Sequence, residues 1–586
     1  DVAAVCYVDI CKAATFVSNS EKGNSARIIV ASVEKELKER LFNFSQPFKN
    51  EDGNIDEALM VDCLVSLFML NPDKIANSLF NDFVESTNAI FKRVLVRTLL
   101  RIANEGTSLP WNPTIQDIYV AHAGNLRKLF QEYKGSGDSF LLYRGVTGKK
   151  GEKQMEKAAI ELDVLITLIE LYATAPGLAL FPIPGTDATT ETRDLLTGLV
   201  ETISNYELPE LHEVSVRALL TIHKPEIIMN WDRGNPAEGF WIGSCSVIRD
   251  LSGCLIKNNR WQSYEVKKTI QVLHQILVFR TQFLEANPEM HPSLTSAQLR
   301  LQSSSLLESA LLIHIPSIEL EIASLSAACF GVMCTEVDQI RPFIQENENA
   351  FLCNYEVYVQ LVAIANITTG REAQQKAIRK VLRQVENATN GNYTAWYKLY
   401  DRFKLFTQAI IRNIELEAEE VNREKQKRKK PVQTEEVIDS RFADIPKALL
   451  DRPGDVLTQW NHYINFLCAL AAVTKGRKTA ARLGASEGSN SEVIDEFMQS
   501  IVEYLIHDSV NIQTFVKNAA GTSLSPAVYP SFFNLISEQI SKLKGSGQSG
   551  EDNAGNVLFV DQVIQVLRLI IESNSDASHL ALLSNI

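Results

Sequence analysis

The sequence predicts an all-α protein, an α-solenoid of stacked helix pairs running continuously through residues 1–586. Three observations carry this reading: apolar residues recur at helical spacing, strand-like alternation is scarce, and a helix–break–helix unit returns along the chain. The plainest unit runs from Glu191 to His223. Leu195, Leu196, Leu199, Val200 and Ile203 form one apolar face, Ser204–Leu208 makes a turn, and Pro209 opens a second helix. Proline suits a first helical position because its missing N–H would be unpaired there anyway. Leu211, Val214, Ala218, Leu219 and Ile222 then line one side. A single pair cannot bury its own apolar face, whereas stacked pairs build a continuous core.

Taken in order, Ala58–Leu70 is apolar nearly all round and reads as a helix enclosed by neighbours. Ala89–Ala103 sets Ile90, Val94, Leu95, Leu99 and Ile102 on one side, with Arg93, Arg97 and Arg101 at four-residue spacing elsewhere. Ile160–Ala173, Glu265–Leu284 and Ile318–Cys334 follow as helices. Arg371–Glu386 carries the stripe Ala377, Ile378, Val381, Leu382 and Val385. Ahead of it, Thr369 and Glu372 have the spacing of a capping box, in which hydroxyl and carboxylate each reach the other's backbone N–H. Helices are also expected at Ala395–Asn413, Gln459–Val473, Val493–Ile506 and Val557–Glu572. Five segments read as mobile loops: 135–153, 287–305, 415–439, 475–491 and 544–556, the last holding the linker-like GSGQSGEDNAG. The second helix of the plainest unit, with VRALL at Val216–Leu220, is similar to the second helix of a HEAT repeat. At roughly 40–47 residues per HEAT or armadillo unit, the chain would hold about a dozen.

Composition narrows the class. Hydrophobic content of 45% with 22% charged residues is that of a folded protein, too apolar for general disorder. A net charge of −13 argues against nucleic-acid binding, which needs a concentrated basic surface. The cysteine count is odd at nine, and most lie in apolar helical runs, as Cys63 does in LMVDCLVSLF. That pattern fits reduced, buried thiols in a cytoplasmic protein. No membrane insertion is expected, since charges such as Asp62, Asp163 and Glu170 interrupt the apolar stretches. The chain opens directly in a helical pattern without an initiator Met, and so reads as an internal segment of a larger protein.

The search for chemistry yields no catalytic residue, no cofactor site and no metal site. Gly145–Lys150 superficially resembles a phosphate loop, but it lacks the full glycine spacing, the Ser/Thr after Lys, and a preceding strand. No CxxC pair or HExxH is present, and Cys329 and Cys334 read as core packing. His212 and His223, near helix ends, read as exposed or capping. Nothing in the sequence places a Ser, a His and an Asp together as a nucleophilic triad. Two basic features stand out: the run REKQKRKK at Arg423–Lys430, and the face Lys376, Arg379, Lys380 and Arg383. Adjacent acidic residues make intramolecular pairing the simpler reading of the first. A solvated helix face is the simpler reading of the second.

Eight short islands in order along the chain resemble the N-terminal helical-repeat region of the neurofibromin family of Ras GTPase-activating proteins. They are CKAAT at Cys11–Thr15, LFNFSQPF at Leu41–Phe48, DCLVSLF at Asp62–Phe68 and LLTGLV at Leu195–Val200. TTGREAQQK at Thr368–Lys376, GNYTAW at Gly391–Trp396, NFLCAL at Asn465–Leu470 and LSPAVYP at Leu524–Pro530 complete the set. Departures from the animal sequence between the islands point to a fungal member. The resemblance implies a HEAT/armadillo-type α-solenoid that acts as a scaffold arm in a negative regulator of Ras signalling. It implies a large homodimer, Ras bound by a domain outside this segment, and recruitment to membranes through other domains. Ras activators use an arginine finger and a Phe-Leu-Arg signature to stabilise charge on the transferring phosphate. This sequence contains no Phe-Leu-Arg, so the segment is expected to be catalytically silent. A cargo or adaptor solenoid that binds proteins on its own surface fits the helix pairs equally well.

Overall fold

The computed structural model describes residues 48–70, 88–105, 115–146, 148–257, 263–367, 370–425, 447–475, 489–545 and 552–573, with a few isolated positions besides. The fold is all-helical, at 81% helix, and the described residues hold no strand beyond an isolated bridge between Lys49 and Ile55. Two compact units divide the chain, Asp1–Val247 and Ile248–Ile586.

The first unit contains α1 (Glu57–Leu70), α2 (Ala89–Glu105), α3 (Ile115–Tyr133), α4 (Ser136–Tyr143), α5 (Lys149–Thr174), α6 (Ala188–Ile203) and α7 (Pro209–Ile222), and the division falls inside α8 (Pro236–Lys257). Helix α5 is its hub: α2, α3, α4 and α7 all pack on it, while α1 packs on α2 and α6 on α7. The α6–α7 pair matches the sequence reading closely, and all ten of its expected apolar positions are buried. Asp187 caps α6 by accepting from the Thr190 N–H at 3.1 Å, and Pro209 occupies the first turn of α7. Trp231 then locks the pair. Its indole N–H donates to the Ile222 carbonyl at 3.1 Å, and its own carbonyl accepts from the Thr192 hydroxyl at 2.9 Å. A Cβ at Gly243 would lie 2.9 Å from the Trp231 ring, so only glycine permits this approach.

A charge ladder joins α1, α2 and α5. Arg93 donates to Glu57 at 2.9 and 2.5 Å, and Arg97 reaches Glu57 at 3.2 Å and Asp163 at 2.6 Å. Arg101 pairs with Asp62 and, at 3.0 Å, with Glu105. The arginines thus bind the partly buried rim, while Val94, Leu95, Leu99 and Ile102 fill the core beneath.

The second unit contains α9 (Ser263–Ala286), α10 (Ala297–His314), α11 (Leu320–Ile340), α12 (Tyr355–Ile367), α13 (Arg371–Leu382) and α14 (Asn390–Lys425). It continues through α15 (Pro453–Ala469), α16 (Ser489–Tyr504), α17 (Val510–Asn518), α18 (Tyr529–Gly545) and α19 (Asp552–Ser573). Its helices pack mainly on near neighbours in sequence: α9 on α11, α11 on α12, α12 on α13, α14 on α15, with α10 against α14. Trp396, Tyr400, Phe403, Trp460 and Phe497 form an aromatic core between α14, α15 and α16, with ring centroids 5.4–6.3 Å apart. Each buried ring contributes roughly 1.5–3 kcal/mol by burial alone. Arg280 of α9 and Glu336 of α11 form a buried two-pronged ion pair at 2.6 and 2.9 Å.

Several expectations change. Segment 135–153 is largely helical, forming α4 and the start of α5. The glycines that suggested a loop serve tight packing and a tight turn. A Cβ at Gly137 would lie 3.1–3.2 Å from the Leu211, Asn205 and Leu208 side chains, and Gly145 and Gly148 take φ of 99° and 104° between the helices. Segment 287–305 is a loop only to Ser296, because Ser303, Ser304 and Ser305 are buried in α10 rather than solvated. Helix α14 extends to Lys425, Lys475 ends a 3₁₀ turn, and 489–491, 544–545 and 552–556 are helical; the remainder of the last three loop segments lies outside the described residues. The capping box expected before α13 rests on Thr369. Gly370 at φ 100° occupies the cap with no side-chain bond, and α13 ends at Leu382. Thr369 itself lies outside the described residues, as do the island Cys11–Thr15 and all but Phe48 of Leu41–Phe48. By length and composition, Leu320–Phe343 (24 residues, mean hydropathy 1.4) could cross a membrane, although just over half of it is buried and it holds the paired Glu336.

Candidate functional site

The residues singled out in the sequence do not converge. Of Gly145–Lys150, Gly145, Val146 and Gly148 lie between α4 and α5, Gly148 caps α5 through backbone alone, Lys149 and Lys150 open the helix, and Thr147 lies outside the described residues. Cys329 and Cys334 are buried in α11, and burial pushes both thiols up, the latter to about 12. Among the described residues no three His, Cys, Asp or Glu side chains gather as metal ligands. His212 and His223 are buried rather than exposed. The Nδ1 atoms lie 2.8 and 2.7 Å from the carbonyls of Ile203 and Leu219, so the His212 ring closes the end of α6 and the His223 ring the end of α7. On the basic face of α13, Lys376 and Lys380 are exposed, but Arg383 turns inward and donates to the Thr522 carbonyl and the Tyr529 hydroxyl, both at 3.2 Å. The side chains of the run Arg423–Lys430 lie outside the described residues.

Two places unmarked by any motif have the ingredients of a site. The first is a sealed carboxyl cluster. Glu308 of α10 is completely buried, and one of its oxygens accepts from the Tyr358 hydroxyl of α12. The other accepts from the Thr389 hydroxyl at 2.5 Å. Thr389 is also the cap of α14: its backbone N–H donates to Asn392 Oδ1 at 2.9 Å, while the Asn392 N–H donates to Thr389 Oγ1 at 3.0 Å. The Ser309 hydroxyl completes the seam by donating to the Gly391 carbonyl at 2.7 Å. Burial raises the Glu308 carboxyl to about 7, against the opposing pull of the bonds from Thr389, Tyr358 and Asn392. Burial, and then the Glu308 charge, hold the Tyr358 phenol well above its usual range. With no surface exposed, this cluster fastens α10, α12 and α14 together and offers nothing to a solute.

The second place is an open hollow of about 710 Å³ between the loop after α9 and the end of α11. Leu284, Met290, Ile340 and Phe343 supply its apolar wall, with Glu285, Glu289, His291 and Gln339 among its polar lining. The His291 ring lies against Phe343 with centroids 3.9 Å apart, and Phe343 remains half exposed. No family model matches the chain.

Sequence reasoning missed both places. Glu308 had one available signal, as the lone charge in SSSLLESALLIH, but its partners lie 50 and 81 residues away. The hollow's residues come from a loop and a helix end, which periodicity does not pair.

Proposed function

We propose that this chain is a non-catalytic scaffold: an α-solenoid arm of a neurofibromin-like Ras GTPase-activating protein. In this reading the arm supports homodimer assembly and positions an activator domain, lying outside these residues, that binds Ras in the cytoplasm. The observation that supports the scaffold part is the pairing of consecutive helices, α1 on α2, α6 on α7, α11 on α12, α12 on α13 and α14 on α15, the contact that stacked pairs repeat. The eight ordered islands carry the family part. The titratable group with the most enzyme-like shift, Glu308, is sealed from solvent, which favours structural work over catalysis.

The test is single-turnover hydrolysis of Ras-bound GTP with the chain added in excess. No acceleration is expected; a rise toward the roughly 10⁵-fold effect of a complete activator would overturn the non-catalytic reading. Sedimentation of the full-length protein with and without this segment tests the assembly role, since loss of the dimer is expected on deletion. A cargo or adaptor solenoid is the second reading, favoured by the open hollow beside Phe343. It requires stoichiometric binding of a foreign protein by a full-length chain that does not self-associate.

A further inference from the structure

We propose that the hollow between the loop after α9 and the end of α11 binds a partner peptide presenting an arginine beside a large apolar residue. This inference is independent of the family assignment. It begins with the polarity of the lining. Glu285 and Glu289 are exposed carboxylates that form no ion pair among the described residues, and the lining contains no lysine or arginine. Gln339 spends its amide nitrogen on Glu285 at 3.3 Å. Asn287 likewise spends its amide nitrogen on the Phe283 carbonyl at 2.8 Å. Besides the His291 ring, the exposed charged groups left over are acceptors, the carboxylates of Glu285 and Glu289. What satisfies them is a cation with several donors.

The apolar part selects further. Phe343 is 50% exposed at the rim. A guanidinium suits such a setting better than an ammonium. It is planar, weakly hydrated, stacks on an aromatic face, and can donate to a carboxylate through two N–H groups at once. A hollow of about 710 Å³ also exceeds the needs of one arginine head. It leaves room against Leu284 and Ile340 for a neighbouring aromatic or aliphatic side chain, the pairing that commonly anchors protein interfaces.

Calorimetric titration of the complete chain tests this with two peptides, acetyl-Gly-Arg-Trp-Arg-Gly-amide and acetyl-Gly-Glu-Trp-Glu-Gly-amide. The arginine peptide is expected to bind at least about ten-fold more tightly, and to weaken as salt rises from about 50 to about 200 mM. The double substitution Glu285→Lys with Glu289→Lys should abolish that preference. Phe343→Ser should weaken the arginine peptide about ten-fold, the scale of one lost stacking contact with its apolar burial. All three positions are exposed, so unchanged helical content and unfolding temperature are expected; Glu289→Gln, which only removes charge, serves as the milder check. Equal binding of the two peptides, or binding by the arginine peptide that ignores both variants, would overturn the proposal.

Discussion

Replacing Glu308 by Gln should make the second unit more stable at pH 8 while leaving it nearly unchanged near pH 4.5. In the unfolded chain the carboxyl loses its proton near 4.5; in the folded chain it keeps it to about 7. Between those values the folded state binds the extra proton, so stability falls as pH rises, by about 1.4 kcal/mol per unit, and then levels off above the folded value. Across the window the loss amounts to about 3 kcal/mol. Glutamine removes that loss because it never ionises. Its shape is conserved, its amide oxygen can accept from Thr389, and its nitrogen can donate to Tyr358. The check is native-state hydrogen exchange read by mass spectrometry on peptides from α10 and the first turns of α14, for both proteins from pH 5 to 8. Taking the difference at each pH cancels the intrinsic dependence of exchange on hydroxide. A variant less protected than the parent by one constant amount at every pH would refute the reasoning, because the buried charge would then contribute nothing.

Two further perturbations test the packing around that cluster and beyond it. Gly391→Ala should destabilise the α10–α14 contact by about 1–3 kcal/mol, since the new Cβ would stand 2.6 Å from the Ser305 carbonyl oxygen and still closer to Glu308. Lost exchange protection in α10 would report it, and a neutral outcome would show that the two helices can separate freely. Arg280→Met should cost about 3–5 kcal/mol by stranding Glu336 in the core, and adding Glu336→Leu should restore most of the loss. Denaturant titrations of both singles and the double give the cycle; a double variant no better than Arg280→Met would mean the pair stabilises through more than mutual neutralisation.

What the sequence made legible was local. The α6–α7 pair could be read to the residue because its apolar stripe, its proline and its turn all lie within one short stretch and agree with one another. The same logic failed where glycine had two meanings. Gly137 looked like loop composition, yet a Cβ there would crowd Leu208 and Leu211 at the start of α7, far downstream. A capping box that the sequence reading did not mark forms at Thr389 and Asn392, where Asn stands in for the usual Glu or Gln and the Thr389 hydroxyl donates to Glu308. Arg383 was read as part of a solvated face because its acceptors, Thr522 and Tyr529, lie 139 and 146 residues away. The carboxyl cluster and the hollow were invisible for that reason too: each is made by residues that only tertiary packing brings together.

The arginine ladder on α2 has an implication for how this fold can drift over evolution. Arg93, Arg97 and Arg101 stand one helical turn apart, and Glu57 and Asp163 each already serve two of them. Sliding α2 by a single turn would hand Glu57 and Asp163 to the next arginine, so the ladder alone tolerates two settings. Lys92 on the same helix does not: it is buried and held by Glu132 at 2.7 Å, and the slide would strand its charge. That one pair, with the unequal volumes of Val94, Leu95, Leu99 and Ile102 in the layer beneath, sets the register that the arginines leave open. A shift of α2 by one turn would therefore have to be accompanied by a change at Lys92 as well as among those four aliphatic side chains.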